Sequence, residues 1–212
     1  MNNIDRHVPE VVIKRLPRYY RYLDELLKQD IQRISSKALS EKMKVTASQI
    51  RQDFNCFGGF GQQGYGYNVA YLHNEIRTIL GIKEGYKTII VGAGNLGHAI
   101  ASHEGFKRRG FELCGIFDNS PDKIGTVING HTVTDIADME RFVRKNGIDI
   151  AILTLPKANI QETADRLCDC GIKGLWNFSY AELKTKKAVA VENVHLSDSL
   201  MTLAYKIKQG ND

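Results

Sequence analysis

The spacing of apolar positions changes once along this chain, and the change divides it in two. From residue 9 to residue 80 apolar residues recur at three- and four-residue steps, the period of an amphipathic helix. From Thr88 onward, short β-branched runs alternate with helical stretches, the pattern of βαβ units and a parallel sheet. In the first part, Val12, Leu16, Tyr19, Tyr20, Leu23, Leu26 and Leu27 predict a helix over 9–29, kinked or split by Pro17. Ser35-Ser36 offers an N-cap for a short helix over 37–43, with Leu39 and Met43 turned inward. Thr46 caps the next helix, 47–56, and Gln49 stands where a capping box would close. Ile50 and Phe54 anchor that helix, leaving Ser48, Gln49, Arg51, Gln52 and Asn55 mostly outward. Two short helices around a brief turn, the second polar outside, form the helix-turn-helix pattern.

Residues 57–67, FGGFGQQGYGY, hold five glycines and four aromatic residues. That is too aromatic for a flexible linker, and the alternation fits a twisted β-hairpin, which after a recognition helix is a wing. Asn68 caps a further helix over 69–80, ended by Gly81. Residues 81–85 are the expected domain boundary.

The second part predicts strands at 88–91, 113–117, 149–155, 174–177 and 189–191, with a small hairpin around Asn129-Gly130. Helices are expected over 95–109, 136–145 and 159–170. The fold class is α/β: a winged helix-turn-helix domain over 1–80, then a Rossmann-type doubly wound parallel sheet domain over 85–212. A last helix, 196–208, carries Leu196, Leu200, Leu203, Ala204 and Ile207 on one stripe. No strand follows it, so it packs either on its own domain or on a partner subunit.

The first predicted strand of this domain runs into Gly92-Ala93-Gly94-Asn95-Leu96-Gly97. A Gly-x-Gly-x-x-Gly turn between a strand and a helix is the dinucleotide-binding fingerprint. Its glycines permit the tight turn, the close approach of a pyrophosphate, and close packing of helix on strand. Asp118 ends the second strand, about twenty residues on, where a ribose-binding carboxylate belongs. An acid there repels a 2′-phosphate, so NAD(H) is favoured over NADP(H).

The 212 residues carry a net charge of +5, and most of it lies in front. Residues 1–80 hold 12 Lys and Arg against 8 Asp and Glu, and residues 81–212 hold 17 against 16. A basic face suits a polyanion, although a solvated surface would look the same. Gln49 and Gln52 suit adenine and Arg51 suits guanine in a major groove. Lys37, Lys42 and Lys44 suit phosphates, and the wing tip, Gln62-Gln63, suits a minor groove. The four cysteines are scattered and fit neither a disulfide framework nor a metal site. No apolar run approaches a membrane span and the first residues lack a signal-peptide core. A cytoplasmic location is expected.

An enzyme remains an alternative. His98, His103 and His195 could serve a small NAD-dependent oxidoreductase as acid or base, but little chain is left for a substrate domain. A CoA-binding domain would share the sheet, and Asp118 argues against it.

Several segments together resemble the Rex family of redox-sensing transcriptional repressors of Gram-positive bacteria. They are 15–23 (RLPRYYRYL), 33–36 (RISS), 45–54 (VTASQIRQDF), the Gly-aromatic segment 57–67, 91–97 (VGAGNLG), 171–174 (GIKG) and Asn177-Phe178. The resemblance implies a homodimer that binds a palindromic DNA operator and releases it when NADH replaces NAD+. It implies that the C-terminal helix is exchanged between subunits. Gly92, Gly94, Asn95, Leu96 and Gly97 would hold the pyrophosphate and Asp118 the adenosine ribose. Thr154, Leu155, Pro156, Asn177 and Phe178 would lie near the nicotinamide. Thr46 and Ser48, with Lys37, Lys44, Gln49, Arg51, Gln52, Gln62 and Gln63, complete the expected DNA-facing set. Arg21 matches a family arginine of the redox switch. Two positions depart from the family pattern: the stretch Ser102–Phe106 has His103 and no Tyr, and His195 stands where many members have Asp. A histidine cannot replace an aspartate as partner to an arginine, and it titrates near neutrality.

Overall fold

The computed structural model describes residues 8–58, 60–62, 65–185 and 189–210, with the backbone alone for Gly61 and Gln62. The chain divides into two compact units between Glu84 and Gly85.

The front unit starts with α1 (Glu10–Ile13) and α2 (Leu16–Lys28). Pro17 sits in the first turn of α2, where a missing N–H costs nothing, so the predicted helix is split and not kinked. Next come β1 (Arg33–Ile34), α3 (Ser36–Met43), α4 (Ala47–Asn55), β2 (Gly61–Gln62), β3 (Gly66–Asn68) and α5 (Val69–Ile79). β3 pairs antiparallel with both β1 and β2 in a small three-stranded sheet, which is the wing. β1 was not expected: two residues are too short to show a period. The core gathers Leu16, Tyr19, Leu23 and Leu26 of α2, Leu39 and Met43 of α3, Ile50 and Phe54 of α4, and Val69, Leu72 and Ile76 of α5.

The rear unit is a seven-stranded sheet. Its strands are β4 (Tyr86–Val91), β5 (Phe111–Asp118), β6 (Val127–Ile128), β7 (His131–Asp135), β8 (Ile150–Leu153), β9 (Gly174–Asn177) and β10 (Ala190–Asn193). Their spatial order is β10-β9-β8-β4-β5-β7-β6, parallel except for the antiparallel β6–β7 hairpin. Alternation along β4 sends Ile89 and Val91 to one face and Ile90 to the other. On the first face they meet α8 (Met139–Asn146) and α9 (Lys157–Asp169), through Met139, Val143, Ile160, Ala164 and Leu167. On the second face lie α6 (Asn95–Ala101) and α7 (Gly105–Arg108), through Ile100 and Phe106. The predicted single helix over 95–109 is therefore two, broken at residues 102–104. The break sets the Phe106 ring edge-on to Trp176, 5.7 Å between centroids.

The second face is only partly covered. A cavity of about 1050 Å³ lies over it, lined by Ile90, Ile152, Trp176, Ile100 and Phe106 among others. α10 (Leu196–Gln209) exposes Leu196, Leu200, Met201, Leu203, Tyr205 and Ile207. Among the described residues no helix is long and apolar enough to cross a membrane.

Candidate functional site

Sequence order and strand order together create the first site. From β4 the chain moves to β5 on one side and later returns to β8 on the other. The carboxyl ends of β4 and β8 thus flank a topological switch point, where open α/β sheets bind ligands. The Gly92–Gly97 turn stands there. Gly92 has φ +106° and its N–H donates to the Phe117 carbonyl at 2.7 Å. A β-carbon on Gly92 would sit 2.8 Å from both the carbonyl and the hydroxyl oxygen of Thr154. The Thr154 hydroxyl donates to the Gly92 carbonyl at 2.7 Å, tying the end of β8 to the turn. A β-carbon on Gly97 would collide with that same Gly92 carbonyl oxygen. Gly94 differs: a β-carbon there would meet nothing within 4 Å. Its freedom serves no packing inside the chain, and it begins α6 without a side-chain cap. The first amides of the helix therefore have no side-chain acceptor among the described residues, which suits an anion at close approach.

Asp118 is buried beside the turn. Its Oδ2 accepts the Ala93 N–H at 2.6 Å, its Oδ1 accepts the Ser120 N–H at 2.9 Å, and Lys123 Nζ lies 3.4 Å from Oδ2. Asn95 is exposed and Leu96 half-buried. Leu155 packs on the core, and exposed Pro156 starts α9. Phe178 lies against Trp176, 4.7 Å between ring centroids.

Asn177 ends β9. It is fully buried. Its amide donates to the Ala181 carbonyl and to Asn193 Oδ1, both at 2.8 Å, and its Oδ1 accepts the Ser179 N–H at 2.9 Å. Its side chain holds the loop after β9. His103 is exposed, accepts the Gly105 N–H at 3.1 Å, and packs on Phe106. His195 stacks on Tyr180, 5.5 Å apart and nearly parallel, and its buried Nδ1 has no hydrogen-bond partner among the described residues.

In the front unit the polar face of α4 forms the second site. Ser35 caps α3 by accepting the Ala38 N–H at 3.0 Å, and Thr46 caps α4 by accepting the Gln49 N–H at 3.1 Å. Lys44 makes the turn between them in the left-handed conformation, φ +52°. Lys37, Lys44, Ser48, Arg51 and Gln52 are exposed, as is Arg21 on α2. Arg51 also donates to the Ser36 hydroxyl at 3.2 Å, linking α4 to α3. Gln62 lies in β2 by its backbone, and Gln63 lies outside the described residues.

The expected capping box does not form. The Gln49 amide donates instead to Asp53 Oδ1 at 2.9 Å, so Gln49 is half-buried and not simply outward. Asp53 is fully buried. It also takes Arg15 Nε on Oδ2 and Arg15 Nη2 on Oδ1, both at 2.7 Å, and the Tyr19 hydroxyl on Oδ2 at 2.7 Å. Burial by itself would raise the Asp53 carboxyl, yet these donors hold it below the usual carboxylate range. Burial and the neighbouring carboxylate push the Tyr19 phenol up. This network was not expected from the sequence. An acid at Asp53 between Ile50 and Phe54, on the stripe that faces the core, was the available signal.

Comparisons with known proteins agree with both units. Residues 7–55 match the family described as "Putative DNA-binding protein N-terminus", and residues 83–181 match the CoA binding domain family. A redox-sensing transcriptional repressor Rex of Thermoanaerobacter sp. (strain X514) is 58% identical over 202 residues, 95% of this chain and 90% of that protein. The Rex repressor of Clostridioides difficile (strain 630) is 53% identical over 206 residues, 97% of this chain and 98% of that protein. Among solved structures, the Rex-family repressor RSP in complex with β-NAD+ and operator DNA superposes with a TM-score of 0.90. It is 57% identical and covers 96% of this chain and 94% of its own. RSP in complex with β-NADH gives a TM-score of 0.89 at 54% identity, covering 97% and 96%.

Proposed function

The chain belongs to the Rex family of redox-sensing transcriptional repressors, and from that premise we propose that it represses transcription by holding operator DNA until NADH replaces NAD+. The single observation that carries this reading is one polypeptide with both a winged helix-turn-helix and a Gly-x-Gly-x-x-Gly turn at a switch point. RSP has been crystallised with NAD+ plus operator DNA and with NADH. The open approach to Gly94 and the free amides of α6 fit a pyrophosphate. Asp118 keeps lone pairs beyond those used by Ala93 and Ser120, which fits ribose hydroxyls. The bound nicotinamide supplies the redox state that is sensed, and the protein's own work is to bind its two forms with different strength in two conformations. That difference alone limits how far DNA affinity can shift.

Lys37, Lys44, Ser48, Arg51 and Gln52 form the DNA-facing surface, and Thr46 acts as a helix cap beneath it. The protein works as a cytoplasmic homodimer without a catalytic role. The exposed apolar stripe of α10 and the partly open apolar face of the sheet support an exchange of that helix between copies. A monomer in sedimentation at micromolar concentration would refute the exchange.

The deciding experiment is a gel shift with the full chain on palindromic duplexes, with NAD+ or NADH added. A complex retained with NAD+ and dissociated by NADH is expected. Equal shifts in both conditions remove the sensing role, and the absence of any shift at low salt removes DNA binding.

A further inference from the structure

The front unit buries a carboxylate where a recognition helix would ordinarily carry an apolar residue. Asp53 is one turn beyond Gln49 on α4, so the two side chains share a face. Asp53 receives four hydrogen bonds from three residues, all between 2.7 and 2.9 Å. Arg15 grips both its oxygens from the residue before α2, and Tyr19 adds a third hold from the first turns of α2. The carboxylate therefore cannot rotate without breaking a fork and a buried phenol contact. Arg15 and Tyr19 already satisfy much of its demand. The one bond that points back along α4 toward the polar surface goes to the Gln49 amide.

A glutamine amide has two N–H donors and one carbonyl acceptor, and an unrestrained one swaps their positions freely. A carboxylate on one N–H removes that freedom, because it accepts only from the nitrogen side. When the carboxylate takes the N–H that points away from the carbonyl, the second N–H and the carbonyl oxygen lie together on the opposite edge of the amide. That edge has one donor beside one acceptor. In a major groove it complements adenine, whose N7 accepts and whose N6 donates.

We propose that Asp53, locked by Arg15 and Tyr19, is a positioning residue that fixes the amide of Gln49 so that Gln49 reads an adenine in the operator. The proposal rests on the DNA-binding reading above and adds to it the base read and the group that orients the reader. It also gives a reason for a buried charge in a small unit, where an apolar side chain would pack without a partner.

The test is selection by the full chain, with NAD+ present, from a library of duplexes carrying a randomised palindrome. Binding to the enriched sequences is then measured for Gln49→Ala, Asp53→Asn and Tyr19→Phe. One position per half-site should prefer adenine in the parent protein. Replacing that base by 7-deazaadenine should weaken binding about tenfold. Gln49→Ala should erase the preference at that position and leave the others. Asp53→Asn should reduce it to a small residue while the remaining positions keep theirs, and Tyr19→Phe should reduce it less. If Asp53→Asn does not fold, the Tyr19→Phe result decides. A uniform loss of affinity in Asp53→Asn or Tyr19→Phe, with the adenine preference intact, overturns the proposal by reducing the network to a structural role. So does a Gln49→Ala protein with an unchanged preference profile. A parent protein that enriches no sequence overturns the DNA-binding reading itself, which is a different failure from these two.

Discussion

Asp53 in the front unit and Asp118 in the rear unit are both buried carboxylates beside a functional segment. They are held in different ways. Asp53 is held by side chains, from Arg15, Tyr19 and Gln49, and the first two come from the start of another helix. Asp118 is held by main-chain N–H groups of Ala93 and Ser120, with a lysine 3.4 Å away. Side-chain donors fix how one element is oriented on another. Main-chain donors fix the shape of a single turn. The recognition helix needs the first, because its polar face must be presented at one angle. The Gly-rich turn needs the second, because its own backbone is the surface a phosphate would meet.

The comparison is broken most severely at Asp53. Asp53→Ala leaves the Arg15 fork and the Tyr19 hydroxyl without their acceptor. Removing one partner of a buried pair costs about 3–5 kcal/mol, and Arg15 keeps some water contact, so about 3 kcal/mol is expected here. Chemical denaturation followed in the front unit checks it. A loss below about 1 kcal/mol would mean that the carboxylate is not holding α2 to α4. NADH affinity should be unchanged, since the partners of Asp53 among the described residues lie in the front unit.

The rear side of the comparison is sharpened by two alanines in one turn. Gly97→Ala drives a β-carbon into the Gly92 carbonyl. Overpacking of this kind costs about 1–3 kcal/mol, and the displaced turn should lose dinucleotide binding, read by NADH fluorescence. Gly94→Ala meets nothing within 4 Å among the described residues. Its stability should stay within about 0.5 kcal/mol of the parent, while its NADH affinity falls at least tenfold. Similar behaviour of the two variants would show that the open space at Gly94 is not the phosphate approach.

These contrasts also explain which features could be read along the chain. The Gly92–Gly97 turn, the Thr46 cap and the Asn68 cap are local: each depends on residues within a few positions of one another. The apolar runs at Ile89–Val91 of β4, Ile116-Phe117 of β5 and Ile150–Leu153 of β8 mark strands that pack on both faces of the sheet. The Asp53 network was not legible because its partners stand 34 and 38 positions away. Gln49 was misread for a related reason: a capping box and a bond to Asp53 begin from the same residue, and only the buried acceptor decides between them. Ser102-His103-Glu104 are all compatible with a helix, and the contact that accompanies the break, Phe106 on Trp176, joins residues 70 positions apart. Asn177 was expected near the nicotinamide from the family resemblance. Its three hydrogen bonds to the following loop and to β10 could not be seen from its position alone.

The smallest expected effect distinguishes the two units by pH. His73 on α5 stacks on Tyr20, and its buried Nε2 has no hydrogen-bond partner among the described residues. Asp24 Oδ1 is 3.9 Å away, too far to donate to. Burial lowers the His73 pKa, opposed by Asp24 and assisted by Arg77. The folded state then binds the proton less readily than the unfolded chain, whose histidine titrates near ~6.5. Stability from this residue is therefore fully present above that value and is lost as pH falls through the lower folded pKa. Asp53 acts in the same direction further into acid: its depressed pKa supports the fold above ~3.9 and is lost below it. The front unit should thus weaken in two acid steps. In His73→Phe, which keeps an aromatic ring against Tyr20, the step nearer neutrality should vanish and the lower one remain. Thermal melts of parent and variant between pH 7.5 and about pH 3 provide the measurement, and parallel curves between pH 7.5 and pH 5 would show that His73 is not the group that titrates.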